Sequence, residues 1–284
     1  MWYKESNQEF VDLGKIEGIP HPELFNEVSK VIAEDTLEYV NVHSKAVIPK
    51  QSFYTKYIKR LLDIIFSLVA LIITTPINII LAVCTFADVG SPIFFRQTRV
   101  GLNGKLFAII KFRNMTNETD KNGRLLSPSK RVTKFGKFVR KTSLDELLNF
   151  WSILKGDMSL IGPRPLPVEY NEFFSERHRM RVAVRPGLEC PIIVSSDKNV
   201  TWLEQFENDV YYVENVSLLL DIKLAFALFR MVFDRKSTNI RGNAVRGSFM
   251  GYHKDGSTIN SQMVEKKYYD RALERMRHFL ETLE

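Results

Sequence analysis

The chain has 284 residues, 45% hydrophobic and 26% charged, enough for a packed core and unlike a disordered polymer. Its net charge of +7 points to an anionic partner, with nucleic acid, anionic lipid and phosphorylated substrates all admissible. Its two cysteines, Cys84 and Cys190, have no close sequence partner, which excludes a readable disulfide framework or CxxC zinc site and suits a reducing, cytosol-facing environment.

Met1-Trp2-Tyr3-Lys4-Glu5 lacks a charged stretch followed by an apolar run, so no secretory signal is expected. Residues 1–55 read as a polar N-terminal extension with no chemical motif. Within it Leu24, Phe25, Val28, Val31 and Ile32 have weak helical spacing.

Residues 56–89 contain a membrane-type segment. Between Asp63 and Asp88 no residue is charged, and a straight helix of that length spans a hydrocarbon core of roughly 30 Å. Three readings are open: a straight span, the buried helix of a soluble protein, and a re-entrant hairpin. Thr75 and Pro76 near the middle argue for the hairpin, because proline removes a backbone donor and kinks a helix. The hydroxyls of Thr74 and Thr75 are placed to satisfy freed carbonyls. Cations on both flanks (Lys50, Lys56, Lys59 and Arg60 before; Arg96, Arg99, Lys105, Lys111 and Arg113 after) argue for it too, since both then lie on the positive side.

Phe94 to Val100 and Lys105 to Arg113 read as two strands joined at Asn103-Gly104, a hairpin signal. Leu106, Ala108, Ile110 and Phe112 fall on one face of the second strand; Lys105, Phe107, Ile109, Lys111 and Arg113 fall on the other. Lys111 and Arg113, one pleat apart, could hold a phosphate, but taken alone a solvated or lipid-facing strand is the better account of them. Residues 116–129 read as a loop, and residues 130–141, with six cations, as one basic amphipathic helix of the interfacial kind. No nucleic-acid-binding module is recognisable.

Ser143-Leu144-Asp145-Glu146 matches a capping box, with Ser143 as the cap and Glu146 at the third helical position. Capping alone accounts for both acids. The same geometry admits chemistry: a helix N-terminus favours anions and keeps a carboxylate ionised. One acid would then attack phosphorus while the other holds Mg2+ against a diphosphate. Further on, Pro163 and Pro165 bracket Arg164 and hold the backbone around a guanidinium suited to phosphate.

Val216 to Phe233 is apolar but interrupted by charge, as in an interfacial or core helix. Residues 235–262 read as a linker or extended arm. Met263 to Glu284 reads as a charged helix with Val264, Tyr268, Ala272, Met276, Phe279 and Leu283 on one stripe. Self-association through that stripe and docking on the same chain are both open.

Taken in order, several segments resemble the bacterial sugar transferase family, the monotopic polyprenyl-phosphate phosphoglycosyl transferases. They are Lys59-Arg60-Leu61-Leu62-Asp63, the stretch from Pro92 to Gly101, Lys111 to Met115, Arg140 to Glu146, Leu154 to Pro165, Arg185-Pro186-Gly187, and Asp209 to Asn215. The resemblance implies an α+β fold, mainly helical, with a β-hairpin and a re-entrant helix-break-helix membrane hairpin. The expected layout is an extension (1–55), the re-entrant helix (56–89), a catalytic domain (90–234) and a C-terminal arm and helix (235–284).

The resemblance also implies an enzyme that moves a phosphosugar from a UDP-sugar to undecaprenyl phosphate, releasing UMP, in the first membrane step of surface-glycan assembly (exopolysaccharide or capsule). Asp145 would attack the β-phosphate and carry the phosphosugar. Glu146 would assist a required Mg2+, and Arg164, Arg140, Lys111, Arg113 and Arg185 would contact phosphates. The implied partners are UDP-sugar, undecaprenyl phosphate and membrane lipid, with no nucleic acid, and the implied place is the cytosolic face of the bacterial inner membrane. The competing function is a non-catalytic membrane-attached scaffold. The chain departs from the family pattern after Arg185-Pro186-Gly187, where it reads Leu188-Glu189-Cys190-Pro191-Ile192-Ile193; that loop bears on sugar identity.

Overall fold

Residues 9–16, 21–121, 123, 125–126, 128–191, 200–233 and 247–281 are described by a computed structural model. The strands are β1 (Phe10–Val11), β2 (Phe94–Val100), β3 (Leu106–Phe112), β4 (Ser159–Ile161), β5 (Gly187–Glu189), β6 (Phe249–Tyr252), β7 (Thr258–Asn260) and β8 (Val264–Glu265). The helices are α1 (His21–His43), α2 (Lys59–Val89), α3 (Pro128–Arg131), α4 (Lys134–Lys141), α5 (Asn149–Lys155), α6 (Glu176–Arg179), α7 (Trp202–Asn215), α8 (Leu218–Phe233) and α9 (Lys266–Glu281). The described strands form four two-stranded sheets, so the fold is mainly helical α+β.

Helix α2 is one element of 31 residues with Pro76 inside it, long and apolar enough to cross a membrane. The expected break does not divide it into two helices. Thr74 and Thr75 donate their hydroxyls to the carbonyls of Ala70 and Leu71, each at 2.7 Å, the side-chain support that lets proline stay within an apolar helix. Leu68, Ile72, Ile73, Ile79 and Ile80 are exposed.

Both ends of α2 are tied to the same protein body. Near its start, Arg60 donates to the carbonyls of Ile153 and Leu154. Asp63, 3% exposed, accepts from Ser159 Oγ and the Leu160 N–H at 3.0 Å each. Near its end, Leu81 packs against Phe112 and Val139. Thr133 donates to Asp88 at 2.6 Å, and Arg113 donates to the carbonyls of Val89 and Gly90.

The β2–β3 hairpin forms as expected, with Asn103 and Gly104 at positive φ in the turn. The face carrying Phe107, Ile109 and Lys111 turns inward, where Ile109 packs on Ile153 and Met158. A solvated or lipid-facing role for that face is therefore corrected. The single basic helix expected over 130–141 is two: α3 and α4 are separated at Val132, which bridges to Met115, and at Thr133, which caps α4.

The parallel pair β4–β5 joins the segment before Pro163-Arg164-Pro165 to the strand after Arg185-Pro186. The approach is close enough to demand glycine: a Cβ on Gly187 would lie 2.2 Å from the Gly162 nitrogen. In α8, Leu224 and Asp221 are buried, while Leu219, Ile222 and Phe226 are exposed. One face therefore joins the core and the other is apolar and open, which combines both roles expected for that segment.

The two ends of the chain pack on each other. Leu24, Val28, Val31 and Ile32 of α1 share one core with Met250, Ile259, Val264, Tyr268 and Ala272, and β1 pairs with β8. Reading 235–262 as a linker is thus corrected for β6 and β7, whose alternating and consecutive apolar residues are buried. Residues 234–246 lie outside the described residues. Of the two roles open to the C-terminal helix, the stripe of Val264, Tyr268 and Ala272 takes docking on its own chain. The side chains of Phe279 and Leu283 lie outside the described residues.

Candidate active site

Asp145 and Glu146 lie on a short 3-10 turn, Leu144–Glu146, between α4 and α5. The capping box does not form. Ser143 adopts a left-handed conformation (φ 56°) and makes no side-chain cap, whereas a capping residue needs extended backbone. The α-helix begins only at Asn149. The left-handed residue reverses the chain after α4, a conformation costly without glycine and frequent at functional sites. Leu144, Leu147 and Leu148 then pack against the cluster of Leu81 from α2, Phe112 from β3 and Val139 from α4. The acids therefore sit at the foot of the apolar helix for a packing reason, not a capping one.

Glu146 Oε1 accepts from Lys111 Nζ and Arg164 Nη2, both at 2.6 Å. Burial alone pushes this carboxyl up, but Arg164 and Lys111 outweigh it and hold it at about 2. Arg164 also lies 3.5 Å from Glu189 and donates to the carbonyl of Leu188.

Asp145 is 7% exposed and accepts from Asn114 Nδ2 at 3.2 Å. Asn114 in turn accepts from Arg140 Nε at 2.9 Å. Burial, and then the adjacent Glu146, push the Asp145 carboxyl up; Lys111 and Arg140 pull it back. The expected low value for Asp145 at a helix N-terminus is therefore corrected: the acid is desolvated and no α-helix starts at it. Gly136 lets α4 press onto Asn114, since a Cβ there would lie 2.1 Å from the Asn114 carbonyl oxygen.

Of the expected phosphate ligands, Lys111 and Arg164 meet at Glu146, and Arg140 reaches Asp145 through Asn114. Arg113 and Arg185 are not brought to the acids. Arg113 closes the end of α2, and Arg185 donates Nε to the carbonyl of Gly156 at 3.0 Å. Both guanidiniums satisfy backbone oxygens where the chain turns. Asn114 and Glu189 are site residues that the spacing did not single out, although both lie beside motifs that it did.

Among the described residues, no group of three His, Cys, Asp or Glu side chains is placed to hold a metal. Asp145 and Glu146 supply two adjacent carboxylates, which suits an ion such as Mg2+ that keeps water and substrate phosphates as its other ligands.

A buried acid beside a half-buried one, cations gathered around the second carboxylate and an apolar helix rooted beside them form a site suited to an anionic substrate. Residues 54–235 match the family Bacterial sugar transferase, and the chain belongs to that family. It is similar to the uncharacterized sugar transferase EpsL of Bacillus subtilis, 40% identical over 175 residues covering 62% of this chain and 87% of that protein. It is also similar to a UDP-glucose:undecaprenyl-phosphate glucose-1-phosphate transferase of Klebsiella pneumoniae, 38% identical over 63% of this chain and 41% of the relative. A third relative, a UDP-N-acetylgalactosamine-undecaprenyl-phosphate N-acetylgalactosaminephosphotransferase of Aeromonas hydrophila, is 35% identical over 62% of this chain and 44% of its own length. The chain thus spans less than half the length of these last two.

Proposed function

We propose that this sugar transferase moves a phosphosugar from a UDP-sugar to undecaprenyl phosphate in two displacements at one phosphorus. A carboxylate oxygen of Asp145 attacks the β-phosphorus, the bond to the bridging oxygen breaks, and UMP leaves with that electron pair. A phosphate oxygen of undecaprenyl phosphate then attacks the same phosphorus and displaces Asp145, leaving a polyprenyl-diphosphate sugar. The observation that carries the reading is the contrast between the two acids. Asp145 is desolvated and accepts from the neutral amide of Asn114, with no ion pair of its own among the described residues, as suits a nucleophile. Glu146 is tied by two cations and stays ionised.

In this reading Glu146 holds Lys111 and Arg164 in place while their remaining donors meet the diphosphate. Arg140 orients Asn114, and Asn114 orients Asp145. Magnesium, held by Asp145 or Glu146 together with substrate phosphates, would supply charge neutralisation.

The named relatives in Klebsiella and Aeromonas act on undecaprenyl phosphate by their names, which supports the lipid acceptor. We further propose a re-entrant topology at the cytosolic face of the bacterial inner membrane. A straight helix of 31 residues is ~46 Å long, yet both its ends are bonded to one protein body while an apolar face running from Leu61 to Phe86 is bare. The hairpin reading satisfies that arrangement, and Pro76 is where it would bend.

The decisive experiment is UMP release from a panel of UDP-sugars, with undecaprenyl phosphate present, by the wild type and Asp145→Asn. Loss of release of about a thousandfold or more in the variant is expected; release near the wild-type level would refute the covalent step. Cysteines introduced singly before Lys59 and after Val89 should label from the same side of the membrane, and labelling from opposite sides would refute the hairpin.

A further inference from the structure

Arg99 is a cation of this region that the proposed reaction does not use. Cross-strand pairing places it opposite Phe107, with Gln97 opposite Ile109 and Phe95 opposite Lys111. Arg99 therefore shares the inward face of the hairpin with Lys111, the lysine that reaches Glu146. Its backbone bridges to Pro167, just beyond Pro163-Arg164-Pro165, at the hairpin-turn end of that face, with Lys111 toward the other end.

Its guanidinium is poorly satisfied. Nη2 donates to Gln97 Oε1 at 2.6 Å, while Nε and Nη1 are buried with no hydrogen-bond partner among the described residues. The charges that act on it most are those of Arg164, Glu169, Tyr170 and Glu146; burial and the like charge of Arg164 both disfavour its charged form. Two guanidiniums that act on each other as like charges, one with two buried donors unused, gain when an anion is shared between them. Buried polar groups are almost always bonded, so an unsatisfied pair calls for a ligand. The planar guanidinium fork suits two oxygens of a phosphate, contacted in parallel.

We infer that Arg99 binds the oxyanion of the donor's α-phosphate, the phosphate that departs with the nucleotide, and shares it with Arg164. The assignment rests on the phosphosugar-transfer reading for the identity of the donor. The β-phosphate belongs beside Asp145, and Arg99, four residues along the inward face from the level of Lys111 and bridged to Pro167 beyond Arg164, is placed to take the next phosphate of the diphosphate. Arg99 then neutralises charge building on the leaving oxygens as the bridging bond breaks.

The test is calorimetric titration of the full chain in detergent micelles with UMP, uridine and inorganic pyrophosphate, for the wild type and Arg99→Gln. UMP and pyrophosphate should each bind the variant about tenfold more weakly or worse, as expected for losing a charge-assisted contact, with uridine unchanged. Equal binding of UMP by both proteins would overturn the assignment. So would a parallel fall in uridine affinity, which would place Arg99 at the nucleoside or in the scaffold. Should Arg99→Gln not fold, Arg99→Lys takes its place, with at least threefold weaker UMP binding expected and unchanged binding refuting. The outcome is separable from the parent reading, which fails when the wild type releases no UMP from any UDP-sugar.

Discussion

Replacing Glu146 by glutamine removes a carboxylate from between Lys111 and Arg164 and leaves two cations facing each other. The magnitude follows from the titration of Glu146. Its ordinary value is 4.5, and in the folded protein Arg164 and Lys111 override burial and bring it to about 2. At ~1.4 kcal/mol per pH unit, that separation is worth ~3 kcal/mol to the fold. The Arg164 side chain is 38% exposed, so solvent screens part of the pair, and ~2 kcal/mol is the better expectation. The sign is that of a depressed carboxylate: the contribution is complete above 4.5 and is lost as pH falls through about 2. Thermal unfolding of the wild type and Glu146→Gln in detergent, from pH 8 down to pH 2.5, should show the variant less stable near neutrality. The deficit should shrink steadily below pH 4.5. A deficit that stays constant down to pH 2.5, or none at pH 7, would refute the reasoning.

The neighbouring acid should behave oppositely. Asp145 is pushed up by burial and by Glu146, so its charge costs stability at neutral pH. Asp145→Asn should raise the stability at pH 7 by about 0.5–2 kcal/mol, and the gain should fade as pH falls through the raised value of the folded carboxyl and be gone below 3.8, where an unfolded aspartate also takes up a proton. Gly187→Ala drives a Cβ to 2.2 Å from the Gly162 nitrogen. It should cost ~1–3 kcal/mol through overpacking and, by shifting the β4–β5 pair, weaken UMP binding; a wild-type melt would count against the close approach. Leu24→Ala, in the fully buried core shared by the two chain ends, should cost ~2–5 kcal/mol in denaturant unfolding. A loss under ~1 kcal/mol would mean that the ends do not pack together in solution.

Some of this arrangement was legible in the residues because its cause is local. The uncharged run from Ile64 to Ala87 makes α2 a membrane-type helix wherever it is placed. Asn103-Gly104 permits the positive φ values of a tight turn, so the hairpin formed on cue. Helical spacing in α9 identified the stripe that is buried. Other features were hidden because their cause is distant. Ser143-Leu144-Asp145-Glu146 has the pattern of a capping box, but Lys111, 35 residues upstream, and Arg164, 18 downstream, draw the Glu146 side chain away. An ion-pair network outweighs a cap worth about 1 kcal/mol. Strand spacing put Arg113 one pleat from Lys111, but spacing reports which face a side chain takes, not that its guanidinium meets the Val89 and Gly90 carbonyls there.

The sequence by itself determined the apolar helix, the hairpin, the adjacent acids and the arginine between two prolines, since hydropathy, turn chemistry and backbone rigidity are properties of neighbouring residues. The tertiary structure decided that Asp145 is desolvated while Glu146 is charge-locked, that both ends of α2 return to one body, and that the chain's two ends share a core. Those outcomes depend on burial and on charges brought together from far apart in the chain, which local order along the backbone does not encode in readable form.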